Sequence, residues 1–243
     1  MSIVYTKTLS KDVLKMKITY LGHSGFLVEG AGKRIVIDPF LSGNPLAKLP
    51  ADEIKADLIV LTHGHSDHSS DAAAIALAND CSIVAVFELA AILSRTGAST
   101  IGMNTGGTYS FTDEISIKLV PAFHSSSFEL DGVVHYAGQA QGILLTMGDK
   151  VFYHMGDTAL FSDIKLIGDM NNIDVAAVPI GDHFTMGPKE GLLASAWTKA
   201  KHIIPIHFNT FPPIVQDAKS FVQSLSEQGQ IGHELTSGQS IEV

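Results

Sequence analysis

His63-Gly64-His65-Ser66-Asp67-His68 places four metal-competent side chains within six consecutive residues. Imidazole and carboxylate without thiolate suit a divalent cation, Zn²⁺ first, with Mn²⁺ or Fe²⁺ as further candidates. The apolar run Asp57-Leu58-Ile59-Val60-Leu61-Thr62 leads directly into this stretch and has the β-branched character of a buried strand. Beyond it, Ser69-Ser70-Asp71 and the run Ala72 to Ala78 read as a capped helix start. The candidate ligands therefore sit on a strand-to-helix turn at the carboxyl end of a strand, where α/β folds place their sites. His63 and His65, two residues apart, project to one side of an extended segment. Asp67 and His68 enter the following turn and face a second point, so one turn can serve two ions.

Three further residues share this topological address. His124 follows a strand ending at Val120, Asp157 follows one ending near Tyr153, and His207 follows the apolar run Ile203 to Ile206. Singly, each could be a turn, cap or core residue; together they form a ligand inventory. His63, His65 and His124 supply one ion, Asp67, His68 and His207 a second, and Asp157 bridges the two. Two ions roughly 3.5–4 Å apart lower the pKa of a bridging water to about neutrality and steady a developing oxyanion. That is hydrolytic machinery.

The elements that must position these residues follow from patterning. Strands are predicted at Lys17–Leu21, Gly25–Glu29 and Lys33–Asp38, the last two joined as a hairpin through Gly30-Ala31-Gly32. Next come a strand at 57–62, a helix at about 70–79, a strand at 82–87 and a short helix at Leu89–Arg95. Strands at Thr108–Phe111 and Glu114–Val120 precede a hairpin, 137–147 with 150–154, turning at Gly148-Asp149. A strand at Asp174–Ile180, a helix from Pro188 to about Ala200, a strand at His202–Ile206, a helix from Pro213 to Glu227 and a terminal strand complete the order. The stretches 57–63 and 174–180 echo each other as strand, polar turn and Ala-rich helix. This suggests two similar halves facing each other as a sandwich of two mixed sheets with helices on the outer faces.

Composition sets further bounds. The 243 residues are 45% apolar and 17% charged, enough for a sizeable core, and no interdomain linker stands out, so residues 1–243 are read as one domain. No apolar stretch is long enough to span a bilayer, and Lys7, Lys11, Lys15 and Lys17 precede no apolar region of the secretory kind. The single cysteine, Cys81, excludes an intrachain disulfide and fits a reducing, cytoplasmic setting as a buried, inert thiol. A net charge of −9 disfavours electrostatic capture of nucleic acid or an anionic membrane.

With these residues in place the chain resembles the metallo-β-lactamase superfamily, whose His-x-His-x-Asp-His segment stands here at 63–68. The resemblance begins at Leu21-Gly-His23-Ser24-Gly25-Phe26 and covers nearly the whole chain. It implies a four-layer αββα sandwich with the site at the sheet edges. Asp38, in Ile37-Asp38-Pro39, matches an aspartate that supports the ligands from behind, and His124, Asp157 and His207 match the later ligand motifs in order. The segments Asp38 to Pro45, Pro179 to Pro188 and Pro205 to Pro212 are similar to a bacterial and archaeal metal-dependent hydrolase group close to the ascorbate-6-phosphate lactonase-like proteins. That likeness implies a cytoplasmic protein, compatible with a homo-oligomer.

Three more histidines follow from this frame. His23 lies in a loop that the resemblance puts near the metals, as a substrate contact or supporting group. His154, close to Asp157 in sequence, is expected to orient a ligand. His183, in the turn echoing the opening motif, is expected at the pocket mouth as the proton donor to a leaving group, with Asp67 as the other catalytic residue. The function implied is cleavage of a small, anionic lactone, phosphodiester or related ester by a metal-bridging hydroxide. The alternatives are a mononuclear iron oxygenase of the persulfide dioxygenase type, a diiron oxygen enzyme, a phosphodiesterase acting on nucleic acid or lipid, and a metal-stabilised binding protein. The complete second ligand set argues against the first two and the last.

Overall fold

The computed structural model describes residues 15–243; Lys7 and Lys11 lie outside them. The first half of the chain forms β1 (Lys17–Gly22), β2 (Gly25–Gly30), β3 (Lys33–Ile37), β4 (Leu58–Val60), α1 (Ser66–Ser69), α2 (Ala72–Asn79), β5 (Ser82–Val86), α3 (Phe87–Leu93) and β6 (Ser99–Met103). The second forms β7 (Thr108–Ser110), β8 (Ile115–Pro121), β9 (Ser127–Leu130), β10 (Val133–Tyr136), β11 (Gln141–Met147) and β12 (Lys150–His154). It continues with α4 (Asp163–Met170), β13 (Val175–Pro179), α5 (Pro188–Thr198), β14 (His202–Ile206), α6 (Ala218–Glu227), β15 (Ile231–Gly232) and β16 (Ser240–Glu242).

Two seven-stranded sheets result, ordered β16-β1-β2-β3-β4-β5-β6 and β15-β14-β13-β12-β11-β8-β7, with β9 and β10 as a separate hairpin. Each sheet is mixed: β3 to β6 run parallel, as do β12 to β15, and the remaining pairs are antiparallel.

The strand period of two distributes side chains among three apolar layers. Ile35, Ile37, Leu58 and Val60 point between the sheets, where they meet Ile117, Leu119, Ile143, Leu145 and Phe152 of the facing sheet. Their neighbours Val36, Ile59 and Leu61 point outward under α2 and α3, among Ile75, Leu89 and Leu93. On the other flank Tyr153, Ala176, Val178 and Ile203 lie under α4, α5 and α6, against Ile164, Ala194, Phe221 and Leu225. The architecture is the αββα sandwich implied by the sequence.

Local differences from the predicted elements have identifiable causes. The Asp71 carboxylate does not cap α2; it accepts hydrogen bonds from the backbone N–H groups of Leu41 (2.7 Å) and Ser42 (2.9 Å), tying the helix start to the loop after β3. The strand predicted from 137 begins only at Gln141, because Gly138 takes a left-handed conformation. The predicted helix from Pro213 separates into a single 3₁₀ turn, Pro212–Ile214, and α6, whose N-cap Asp217 accepts from the Ser220 N–H at 3.0 Å. The sequence reading assigns no element to β6, α4 or the β9–β10 hairpin. The hairpin turns at Asp131-Gly132, both with positive φ, and that dipeptide is its local signal.

Candidate metal centre

The candidate ligands converge where the carboxyl ends of strands from both sheets meet. Asp38 follows β3, the 63–68 motif follows β4, His124 follows β8, Asp157 follows β12 and His207 follows β14. His23 stands at the turn between β1 and β2. His23, Asp38 and His207 all take left-handed backbone conformations, with φ of 56°, 46° and 55°. Such φ values are uncommon outside glycine and persist where the surroundings over-determine them. At His23 the surroundings are visible: its carbonyl accepts from the Tyr20 hydroxyl (2.8 Å) and from the His207 backbone N–H (2.9 Å). The turn of one sheet is thus clasped to the ligand loop of the other.

Among the described residues three donor groups form; one, Asp38 with His63 and His68, lies behind the other two. His63, His65 and His124 bring one ring nitrogen each within 4.8 Å of one another, and the Nε2 of His63 stands 3.1 Å from the Nδ1 of His65. His23, Asp67, His68 and His207 make the second group on the same criterion. Asp157 lies between them. Its Oδ2 is 2.9 Å from His207 Nε2 and 3.6 Å from His124 Nε2, while its Oδ1 faces His68 Nε2 at 3.3 Å.

Hydrogen bonds behind the rings set their tautomers. Asp38 accepts from the Thr62 N–H (2.8 Å) and the Thr62 hydroxyl (2.5 Å). Because that hydroxyl donates to Asp38, it accepts at 3.0 Å from His63 Nδ1–H, which leaves His63 Nε2 as a lone pair facing the first group. His68 Nδ1–H donates to Asp38 Oδ2 at 2.8 Å, and its Nε2 faces the second group in the same way. One buried carboxylate therefore sets a ring in each group, the arrangement expected behind metal-ligating histidines.

The orphaned atoms show that a cation fits. His68 Nε2 and Asp157 Oδ1 are buried, aimed at each other and, among the described residues, without a hydrogen-bond partner. A buried lone pair facing a carboxylate oxygen is costly unless positive charge lies between them. Burial holds His63, His65 and His124 below the usual imidazole range, so this group offers neutral nitrogens. Burial also lowers His68 and His207, but the neighbouring carboxylates together outweigh it, Asp157 and Asp38 raising His68 well above its ordinary value and Asp157 and Asp67 raising His207 to about 9. Burial likewise opposes ionisation of Asp67 and Asp157, yet the neighbouring imidazoles hold both below the carboxylate range. The second group thus holds protons in the place where a divalent ion would supply the charge.

The remaining expectations resolve individually. His154 is fully buried; its Nε2–H donates to the Ser24 carbonyl (2.8 Å) and its Nδ1 accepts from the Gly156 N–H (3.0 Å). It braces the backbone beside His23 and beside Asp157 rather than a ligand side chain. His183 is exposed and packs against Phe184; it is Phe184 that lines the cleft over the donors. The chain passes the pocket mouth as expected, but the turn presents its aromatic residue there.

The cleft has a volume of about 660 Å³. Around His65, Asp67, His124, Asp157 and His207 it is walled by Ser66, Ser69, Ser70, Ser125 and Ser127, and by Phe128, Glu129 and Val134 of the β9–β10 hairpin. That hairpin wall was not anticipated from the sequence. It approaches the motif so closely that a Cβ on Gly64 would stand 2.8 Å from the Ser127 carbonyl oxygen. The Gly64 N–H also donates to Ser126 Oγ at 3.1 Å.

Residues 17–207 match the family model described as the β-lactamase superfamily domain. The chain is 50% identical over 229 residues to a protein of Anoxybacillus flavithermus named "UPF0173 metal-dependent hydrolase", covering 94% of this chain and all of that one. A protein of the same name from Geobacillus thermodenitrificans is 52% identical over 229 residues, again across 94% of this chain and all of its own. Among solved structures, Igni18, a metallo hydrolase from the archaeon Ignicoccus hospitalis, is 34% identical with a TM-score of 0.87 over 94% of this chain and 98% of its own. The chain belongs to the metallo-β-lactamase superfamily and, within it, to the UPF0173 metal-dependent hydrolases.

Proposed function

We propose that this metal-dependent hydrolase is dinuclear and cleaves a small lactone, phosphodiester or related ester. The observation that carries the reading is the pair of donor groups with Asp157 between them, its Oδ2 2.9 Å from His207 Nε2 of one group and 3.6 Å from His124 Nε2 of the other. His63, His65 and His124 would hold one ion, and Asp67, His68 and His207 the other, Zn²⁺ first, with Mn²⁺ or Fe²⁺ as alternatives. When bound, such ions would polarise the scissile carbonyl or phosphoryl oxygen and lower the pKa of an attacking water toward neutrality.

The chain's own residues do the rest. Asp38 holds His63 (through Thr62) and His68 with their Nε2 lone pairs inward. Asp157 and Asp67 supply the negative charge that balances the centre. The serines of the cleft offer hydroxyls to a polar substrate, while Phe128, Val134 and Phe184 cover an apolar portion. The side chains of the wall beyond the donors bring one charge of their own, Glu129, so capture of an anionic group would rest on the ions. The lone buried Cys81 supports a cytoplasmic setting.

Metal content of protein purified without added metal, followed by a panel of lactone, phosphodiester and thioester substrates, tests the reading. Two divalent ions per chain and turnover of one substrate class are expected. A single redox-active iron would overturn it. Asp67→Ala should remove hydrolysis while the circular-dichroism spectrum stays that of the wild type; unchanged turnover refutes the role given to Asp67.

A further inference from the structure

We infer that His23, at the turn between the first two strands, is itself a ligand of the second ion. This deepens the dinuclear reading and rests on it. His23 is completely buried, and its Nδ1 lies 2.8 Å from the hydroxyl of Thr210, which is also buried. The Thr210 hydroxyl donates its only proton to the Phe208 carbonyl, at 3.4 Å. With that proton given to the carbonyl, the hydroxyl accepts from His23 Nδ1–H and Nε2 carries a lone pair; with the proton turned to Nδ1, Nε2–H would donate to Asp67, and the two tautomers differ in the ¹⁵N shift of Nε2.

That lone pair faces the carboxylate of Asp67, with His23 Nε2 3.2 Å from Asp67 Oδ2. Two electron-rich atoms at this distance need a cation between them or a second ring proton. The arrangement repeats that of His63 and His68, where a hydroxyl or carboxylate takes Nδ1–H and Nε2 is turned inward. With metal–ligand bonds near 2.1 Å, neighbouring donors stand about 3.0–3.4 Å apart, and the His23–Asp67 distance lies in that range. His23 Nε2 also belongs to a group with Asp67, His68 and His207 in which every donor lies within 4.8 Å of the others.

The backbone supports the assignment. His23 holds a left-handed φ of 56° under two hydrogen bonds to its carbonyl, one from the His207 N–H, so two ligand-bearing loops are fixed to each other. A ring that only filled space would not need this strained, doubly anchored turn. One consequence concerns metal choice. His23, Asp67, His68 and His207, with the shared Asp157, exceed the four ligands of tetrahedral zinc. The second site therefore suits an ion that accepts five or six, such as Mn²⁺ or Fe²⁺.

The test compares wild type with His23→Gln, each stripped of metal and titrated with Co²⁺ against a chromophoric chelator. The first equivalent should bind equally in both, and the second should weaken in the variant by more than the roughly 10–100-fold that loss of an orienting partner alone costs. In proton NMR of the doubly loaded wild type, the His23 Nδ1–H should appear as a strongly shifted exchangeable resonance that the variant lacks. Unchanged second-site affinity overturns the proposal, and so does a loss within about 10–100-fold with the same number of shifted resonances, which makes His23 a hydrogen-bond partner that positions Asp67. Should the variant fail to fold, wild type with ¹⁵N-labelled histidine decides: His23 Nε2 either shifts with the second equivalent of Zn²⁺ or is found protonated, which overturns the proposal. Failure to hydrolyse any substrate, with the His23 signal shifted as expected, would remove the reaction and leave this assignment standing. Uptake of one ion only, with His23 Nε2 protonated, would overturn both.

Discussion

Asp38→Asn replaces a buried carboxylate with a group of the same shape, and the structure makes its consequence specific. Asp38 Oδ1 accepts from the Thr62 N–H, while Oδ2 accepts from both the Thr62 hydroxyl and His68 Nδ1–H. An asparagine can keep its carbonyl at the first position only by turning its NH₂ toward the second. The NH₂ then donates to His68 Nδ1, which forces the ring proton onto Nε2, the atom that faces Asp157. It also displaces the Thr62 hydroxyl proton toward His63 Nδ1, with the same result for that ring. Each group thus acquires one histidine protonated on its metal-facing nitrogen. Loss of such an orienting partner costs about 10–100-fold in metal affinity, or about 1.4–2.8 kcal/mol per ion. The fold should survive: a hydrogen bond to a buried charge contributes roughly 1.5–3 kcal/mol, against a domain stability of about 5–15 kcal/mol. Isothermal titration of metal-free protein measures both affinities. Asp71→Asn is the control, since Asp71 accepts from the Leu41 and Ser42 backbones in the same loop and orients no imidazole. Asp38→Asn with both affinities within twofold of wild type, or Asp71→Asn weakening them equally, would refute the tautomer argument.

Other expectations follow from single contacts. Gly64→Ala puts a Cβ 2.8 Å from the Ser127 carbonyl and 3.0 Å from the Ala137 Cβ, so the hairpin or the His63–His65 turn must move. A melting curve should show a loss of about 1–3 kcal/mol, and metal content should fall with it; a variant of wild-type stability and metal content would contradict the close packing. His202 and His233, away from the metal centre, face each other with Nδ1 and Nε2 at 2.9 Å. Burial, then Lys201, lowers His202; burial, then His202, lowers His233. Folded-state values below the unfolded one, about 6.5, mean that the unfolded chain takes up protons first as pH falls, so stability drops below about pH 6.5. Melting temperatures at pH 7.5 and pH 5 should differ less for His233→Gln than for wild type; an equal difference would refute the assignment.

What the sequence made legible, and what it did not, divides along physical lines. Dense ligand motifs and continuous apolar runs bounded by polar turns report on themselves, which is why His63 to His68 and the runs 57–62 and 174–180 could be placed. The β9–β10 hairpin could not: its strands hold four residues each, Val133, Val134 and Tyr136 are exposed, and only Asp131-Gly132 marks its turn. Its importance lies in a tertiary approach, that of the Ser127 carbonyl to Gly64, which leaves no local pattern. His183 illustrates a related limit. The sequence locates the 181–187 turn at the pocket mouth, but Asp182 takes a left-handed φ of 63°, and of the two following side chains it is Phe184 that faces the cleft. The identity of the residue was legible; its direction was set by backbone torsions.

The residues behind the ligands carry the same lesson further. Thr62 and Thr210 look like an ordinary strand-end and an ordinary loop hydroxyl in sequence. In the fold one touches His63 and the other His23, and the proton each gives away determines which ring nitrogen remains free. A hydroxyl that donates elsewhere must accept from the imidazole, so the tautomer follows from a contact on its far side. Thr62→Val should accordingly disturb the first donor group, and Thr210→Val the second, although neither side chain can itself be counted among the ligands. Metal titration of the two variants would separate them: weakening confined to one equivalent in each case is expected, and identical effects on both ions would mean that the hydroxyls support the fold alone.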